Sequence, residues 1–306
     1  MKRVAIFLSL TFAISWTAEF FLWKNGGLQN PYLQIILTGV MLIPAICVLL
    51  TRWVTGEGFQ NLWLRIDFKK NLRTYLIAWF GPAILIIVGT ALYFLLFRSN
   101  FDPEFNMVRE SLQAAQGADA IEITAQLLLT TILMQIVISI LFAPLLNLIP
   151  SLGEELGWRG YLLPKLTELL GTAKAVLLSG IIWGLWHAPL IAMGYNYGKN
   201  YLGYPVTGIL AMTLFCVFFG MFLSWLAIQV RSAIPAAIAH GALNGFASIG
   251  IFFLKNGPDP LVGPFPTGLI GGIGFIVAGI ICFKQINSTG FPMESEEKPQ
   301  GEGDMA

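Results

Sequence analysis

Eight uninterrupted apolar stretches dominate this chain. Each is close to the roughly 20 residues that a helix needs to cross a hydrocarbon core. They run over about 4–23, 32–50, 75–97, 125–149, 173–193, 207–230, 233–253 and 263–283. Such stretches admit few folds, because inside lipid every backbone polar group must be satisfied by the segment itself or by a closed barrel. Barrel strands would alternate apolar and polar residues over segments of about ten. These runs do not alternate, so the expected class is all-α: a polytopic helical membrane protein with about eight transmembrane helices. Composition agrees. Hydrophobic residues make up 56% and charged residues 11%, where a soluble domain carries roughly 25% charged. A soluble enzyme, a disordered chain and a disulfide scaffold are excluded. The three cysteines, Cys47, Cys216 and Cys282, all sit inside apolar runs and read as small buried hydrophobes. A net charge of +1 supports no nucleic-acid partner; the partner this surface suits is the lipid bilayer.

Residues 1–283 read as a single helical transmembrane domain and 284–306 as a polar tail, rich in Pro, Gly and Glu, that is disordered and cytoplasmic. The first run follows Met1-Lys2-Arg3 but lacks a small-x-small cleavage site, with Trp16, Glu19 and Trp23 where one would belong. It reads as an uncleaved helix. With the N-terminus inside, thirteen of the 18 basic residues fall in inner connections and five in outer ones. This asymmetry places both termini in the cytoplasm. The 51–74 connection is the main anchor: Arg65, Lys69, Lys70 and Arg73 stand beside Trp63 and Phe68, as in an interfacial amphipathic segment. The acidic connection 98–122 suits a short surface helix. The two halves show no internal repeat, which disfavours a transporter built on inverted repeats.

Ionisable groups at membrane depth are costly and mark function by default. Few are present. Glu19 lies in the first run with no motif around it and reads as structural or interfacial. Glu154 and Glu155 end the fourth run. The only two histidines, His187 and His240, both lie in apolar runs. Glu155 and Arg159 are four apart and share a helix face, so they can pair. Glu154 points about 100° away, to another neighbour. His240 and Asn244 are also four apart, and their polar tips share a face. Gly180 with Gly184, and Gly241 with Gly245, are small-xxx-small pairs that let helices approach closely beside each histidine. Trp183 and Trp186 suit packing or interface anchoring, and Asn147 is a further buried polar group with no assigned task. Taken singly, each site has a structural reading: an interhelical hydrogen bond for each histidine, an ion pair for Glu155 and Arg159. Together, a carboxylate, two imidazoles and an amide suit activation of water and binding of an oxyanion.

Three motifs occur in order on successive spans: Glu154-Glu155-Leu156-Gly157-Trp158-Arg159 (EExxxR), Trp183 to His187 (aromatic-xxx-His) and His240 to Asn244 (HxxxN). In this order, within a motif-bearing core of about 125–255, the chain resembles the CAAX protease and bacteriocin-processing (CPBP, or Abi) family of intramembrane endopeptidases, which includes the type II CAAX prenyl endopeptidases. Trp183 departs from the usual Phe of that pattern, though both are large aromatics. The resemblance implies a membrane protease whose substrate is a membrane-associated peptide or protein, with a prenylated CAAX protein as one option. It implies that Glu154 and His187 activate a water, that His240 and Asn244 bind the oxyanion, and that Glu155 and Arg159 orient the glutamate and local backbone. Members have been described both as glutamate-dependent proteases and as metalloproteases. A zinc set of Glu154, His187 and His240 is chemically ordinary, although no HExxH is present; the water-activating carboxylate is the favoured of the two. A catalytically silent scaffold or bacteriocin-immunity protein of the same fold is the alternative function. A small-solute transporter using Glu and His as proton relays is a further one.

Overall fold

A computed structural model describes residues 1–116 and 123–289. The described chain forms α1 (Lys2–Lys24), α2 (Leu33–Val54), α3 (Phe68–Leu96), α4 (Asn106–Gln116), α5 (Ala125–Leu146), α6 (Leu148–Gly157), α7 (Leu163–Leu170), α8 (Thr172–Trp186), α9 (Ala188–Met193), α10 (Val206–Val230), α11 (Ile234–Phe246) and α12 (Ile273–Thr289). A π-helical turn, Trp158–Leu162, joins α6 to α7. The chain is a multi-pass helical membrane protein. Seven segments among the described residues are long and apolar enough to span: α1, α2, α3, α5, α8 with α9, α10, and α11 with the 3₁₀ turn Ile249–Phe253.

The eighth expected span, 263–283, is shorter and later than its hydropathy suggests. Residues 263–272 form turns, and the helix begins only at Ile273. Pro264, Pro266 and four glycines in that stretch explain the delay, since proline lacks the donor and glycine the rigidity a helix needs. The loop is nonetheless tied down: the Thr90 hydroxyl of α3 donates to the Pro264 carbonyl at 3.0 Å. The helix continues through Lys284 to Thr289, into the stretch expected as tail; 290–306 lie outside the described residues. The acidic connection does contain a surface helix, α4, while Asp119 and Glu122 lie outside the described residues.

Other spans are interrupted beside the polar motifs. The fourth run breaks at Asn147, whose amide Nδ2 donates back to the Ala143 carbonyl at 3.0 Å beside Pro144. That break frees α6 to tilt independently. The fifth breaks at His187, followed by Pro189 in the first turn of α9. The basic 51–74 segment is organised from within. Arg52 donates to the carbonyls of Gly58, Gln60 and Asn61, and Asp67 caps α3 through Lys70 N.

The small-residue pairs act as expected. A Cβ on Gly180 would lie 2.8 Å from the Val217 Cα of α10, and one on Gly241 would lie 3.1 Å from the Pro144 carbonyl of α5. Such distances leave no room for a side chain, so α8 packs backbone-close on α10 and α11 on α5. The main core lies among α2, α8, α10, α11 and the π turn, with Trp158, Trp183 and Phe219 at its centre.

Candidate active site

The EExxxR motif straddles the end of α6 and the π turn. A π turn is often found at functional sites because it inserts one extra residue and re-aims the side chains around it. Here Arg159 Nη1 donates to both oxygens of Glu155, at 3.0 and 2.9 Å, and both side chains are 0% exposed. His240 of α11 approaches from across the bundle, with Nδ1 2.9 Å from Glu155 Oε1. A carboxylate paired with arginine only accepts, so Nδ1 carries the hydrogen and Nε2 faces away from Glu155. Glu155 thus joins Arg159 to His240, a residue 85 positions distant.

Glu154 faces elsewhere, as its 100° offset requires. It is buried, and its Oε2 accepts from the indole Nε1 of Trp183 at 2.8 Å. Trp158 stands close enough to bear on the Glu154 charge, yet its Nε1 lacks hydrogen-bond geometry to any acceptor. Glu154 also lies within electrostatic reach of His240 and Glu155.

Trp183 is the hub. Its ring centroid lies 5.4 Å from the His240 ring and 5.8 Å from the His187 ring, both edge-on. The Arg159 guanidinium sits over its face at 4.3 Å, a cation–π contact strengthened by exclusion of water. His187 caps the C-terminal end of α8, and its Nδ1 lies 2.9 Å from the Trp183 carbonyl. A carbonyl only accepts, so Nδ1–H donates and, when the ring is neutral, Nε2 presents a lone pair. Cys216 Sγ of α10 is 4.0 Å from the same Nδ1.

The structure therefore joins Glu155, Arg159 and His240 by direct hydrogen bonds and ties Glu154 and His187 to one tryptophan. Glu154 and His187 share no direct hydrogen bond. Asn244 lies one turn beyond His240 on α11, is exposed, and its side chain makes no hydrogen bond among the described residues. The hydrogen bond from Trp183 was not anticipated; the signal was in the sequence, because tryptophan carries an N–H donor where the family's phenylalanine has none. Glu19, read as structural or interfacial, is buried within the protein, 0% exposed. The proposed zinc ligands do not fit as they stand. Glu154 Oε2 is engaged by Trp183, and among the described residues no three His, Cys, Asp or Glu side chains are gathered as ligands to a metal.

With the geometry in place, comparison with known proteins locates its relatives. Residues 136–246, which contain all three motifs, match the family model for "Type II CAAX prenyl endopeptidase Rce1-like". "CAAX prenyl protease 2" of Methanococcus maripaludis is 35% identical over 106 residues. That match spans 34% of this chain and 39% of the relative, so it reaches well under half of either protein. The resemblance seen in the three motifs is borne out over the stretch that carries them.

Proposed function

We propose that this chain, whose motif-bearing stretch is of the type II CAAX prenyl endopeptidase kind, is an intramembrane endopeptidase. Its substrate is a membrane-associated peptide or protein, of which a prenylated CAAX-type protein is the leading class. The observation that carries this reading is the gathering of Glu154, Glu155, His187 and His240 around Trp183 inside a bundle of membrane helices.

Peptide hydrolysis in such a place has two demands. Water must be made nucleophilic, and the carbonyl oxygen must acquire negative charge where little solvent can stabilise it. For the first, the free Glu154 oxygen and the His187 Nε2 lone pair both accept from one water. Glu154 takes the proton as the water oxygen adds to the carbonyl carbon, and returns it to the amine when the C–N bond breaks. Trp183 holds Glu154 in place for this step. For the second, His240 is held by Glu155 through Nδ1, which leaves Nε2 directed away from that carboxylate. As imidazolium it has an Nε2–H to offer the oxyanion while Nδ1–H stays with Glu155. Asn244, exposed one turn away, supplies the second donor. Arg159 orients Glu155 through two hydrogen bonds.

The test is turnover of purified protein on a peptide library read by mass spectrometry, with and without chelator. Wild-type protein cleaves a defined bond, and Glu154→Gln, inserted normally, does not. A carboxylate mechanism is unmoved by strong chelator, whereas a zinc mechanism loses activity and regains it with added metal. Normal cleavage by Glu154→Gln would remove Glu154 from the mechanism, and a wild-type protein that cleaves nothing would replace the protease reading with that of a silent scaffold of the same fold. Thirteen inner against five outer basic residues further supports both termini lying in the cytoplasm.

A further inference from the structure

The stretch that joins α2 to α3 carries a surplus of positive charge that peptide hydrolysis does not use. Residues 53–76 hold four basic side chains, Arg65, Lys69, Lys70 and Arg73, against two acidic ones, Glu57 and Asp67. Both acids are occupied. Glu57 pairs with Lys165 at 2.6 Å, and Asp67 caps α3 through Lys70 N and lies 4.0 Å from the Lys70 ammonium. Arg65, Lys69 and Arg73 are exposed, and among the described residues their side chains make no ion pair or hydrogen bond.

These cations stand on a built segment. Arg52 holds it from within through the carbonyls of Gly58, Gln60 and Asn61. The Trp63 carbonyl accepts from the backbone N–H of Ala233, the residue before α11, at 2.7 Å. Phe68 packs on Tyr75, with ring centroids 4.3 Å apart. The segment is thus tied down on its protein side, while its three unpaired charges face outward.

An apolar stripe continues from them along α3. Arg73, Leu76, Phe80, Ile84 and Ile87 are spaced three, four, four and three residues apart, so they share one helix face. All five are exposed. At 1.5 Å per residue the stripe reaches about 21 Å beyond Arg73, longer than the roughly 15 Å of hydrocarbon in one leaflet. A lipid chain packed along it sets its glycerophosphate beside Arg73, with Lys69 four residues back. An apolar face alone would accept any lipid, but cations without counter-charge at its head select among headgroups. A zwitterionic lipid brings its own ammonium to its phosphate. An anionic lipid leaves the phosphate unbalanced, and that is the charge this segment lacks.

We propose that this face binds an anionic phospholipid, its phosphate held among Arg65, Lys69 and Arg73 and a chain laid along Leu76, Phe80 and Ile84. The proposal does not rest on the protease reading, since none of these residues belongs to the three motifs.

Native mass spectrometry of the detergent-purified full chain reads the bound lipid directly. Phosphatidylglycerol and phosphatidylcholine of matched chains are offered at equal concentration. Wild-type protein should retain phosphatidylglycerol severalfold over phosphatidylcholine, and the preference should shrink as ammonium acetate is raised, because salt screens exposed charges. Each basic residue beside the lipid charge is worth about fivefold in affinity. Arg65→Gln/Lys69→Gln/Arg73→Gln should therefore lose more than about tenfold of its phosphatidylglycerol binding. Lys2→Gln/Lys174→Gln/Lys284→Gln removes the same charge from exposed residues elsewhere and should keep the wild-type preference. Glycerol 3-phosphate, the headgroup anion without chains, should not displace the lipid. Equal retention of the two lipids by wild type, an unchanged preference in the first triple variant, or an equal loss in the second would overturn the proposal by removing these cations as the selective groups. Displacement by glycerol 3-phosphate would overturn it by removing the α3 stripe. The wild-type comparisons decide the matter even where a variant fails to insert.

Discussion

Removing Glu155 should damage the protein more than removing any surface carboxylate, and the size of the effect follows from its partners. Its carboxylate accepts two bonds from Arg159 and one from His240, with Glu155 and Arg159 both shielded from solvent. Glu155→Ala strands a guanidinium in the core with Nε and Nη2 already lacking partners. Breaking a buried pair from one side costs about 3–5 kcal/mol, because the surviving charge is left uncompensated. The Trp183 face above Arg159 recovers only part of that. For a chain of this size, with about 2–3 °C per kcal/mol, the expected drop in Tm is about 6–15 °C. Thermal unfolding of detergent-purified protein, followed by tryptophan fluorescence, measures it. Glu155→Ala/Arg159→Met supplies the control. Removing both charges restores neutrality, so the double variant should melt above Glu155→Ala, with a coupling of about 1–3 kcal/mol. A Glu155→Ala protein melting within about 2 °C of wild type, or a double variant whose losses simply add, would refute the argument from a stranded buried charge.

Other expectations are narrower. Asn244→Ala should lower kcat about 10²–10³-fold with KM little changed, the usual result of losing one oxyanion donor; steady-state kinetics on the cleaved peptide decides. Trp183→Phe, which keeps the ring and drops the N–H to Glu154, should lower turnover by less than Glu154→Gln, and equal rates in Trp183→Phe and wild type would show that the bond positions nothing. Glu57, just beyond the C-terminal end of α2, accepts from Tyr161 Oη at 3.0 Å and pairs with Lys165 at 2.6 Å and Arg3 at 3.7 Å. Burial alone would raise its pKa, but the Lys165 hydrogen bond and charge, with help from Tyr161 and Arg52, hold it below the ordinary value of 4.5. Its stabilisation is therefore complete above the unfolded-state pKa and lost as pH falls through the lower folded value. The Tm gap between wild type and Glu57→Gln should be present at neutral pH and close in acid below the usual carboxylate range; a gap that persists there would be the contrary result. Reporter fusions after about residues 60, 110 and 290 should read inside, outside, inside by the positive-inside rule, and an outside signal at 60 or 290 would reverse the orientation.

Much of this protein was legible before any coordinates. Seven of the eight apolar runs became spans because segment hydropathy reports the cost of moving each stretch from water to lipid, which a chain cannot evade. The Glu155–Arg159 pair was readable because residues four apart on a helix must meet. The motif order also pointed to one neighbourhood, since Gly180, Gly184, Gly241 and Gly245 could serve only to bring helices close.

Hydropathy and local spacing say nothing, however, about which neighbour across the bundle completes a buried polar group. That Glu154 answers to Trp183, 29 residues on, and Glu155 to His240, 85 residues on, depends on how α6, α8 and α11 pack together. The break at Asn147 and the late start of α12 came from short-range backbone chemistry that a hydropathy window averages away. His240 and Asn244 share a helix spacing yet differ in surroundings: the imidazole is buried against Glu155 and the amide is exposed. Glu19 shows the limit most clearly. Its sequence context is silent, and only the placement of α1 against the π turn and α8 turned an isolated acidic residue into a buried carboxyl beside the site. The sequence by itself determined which segments are apolar enough to enter the membrane and which ionisable residues lie at or within them. The tertiary structure decided their partners, because a buried hydrogen bond is a property of two surfaces and each stretch of sequence describes only one.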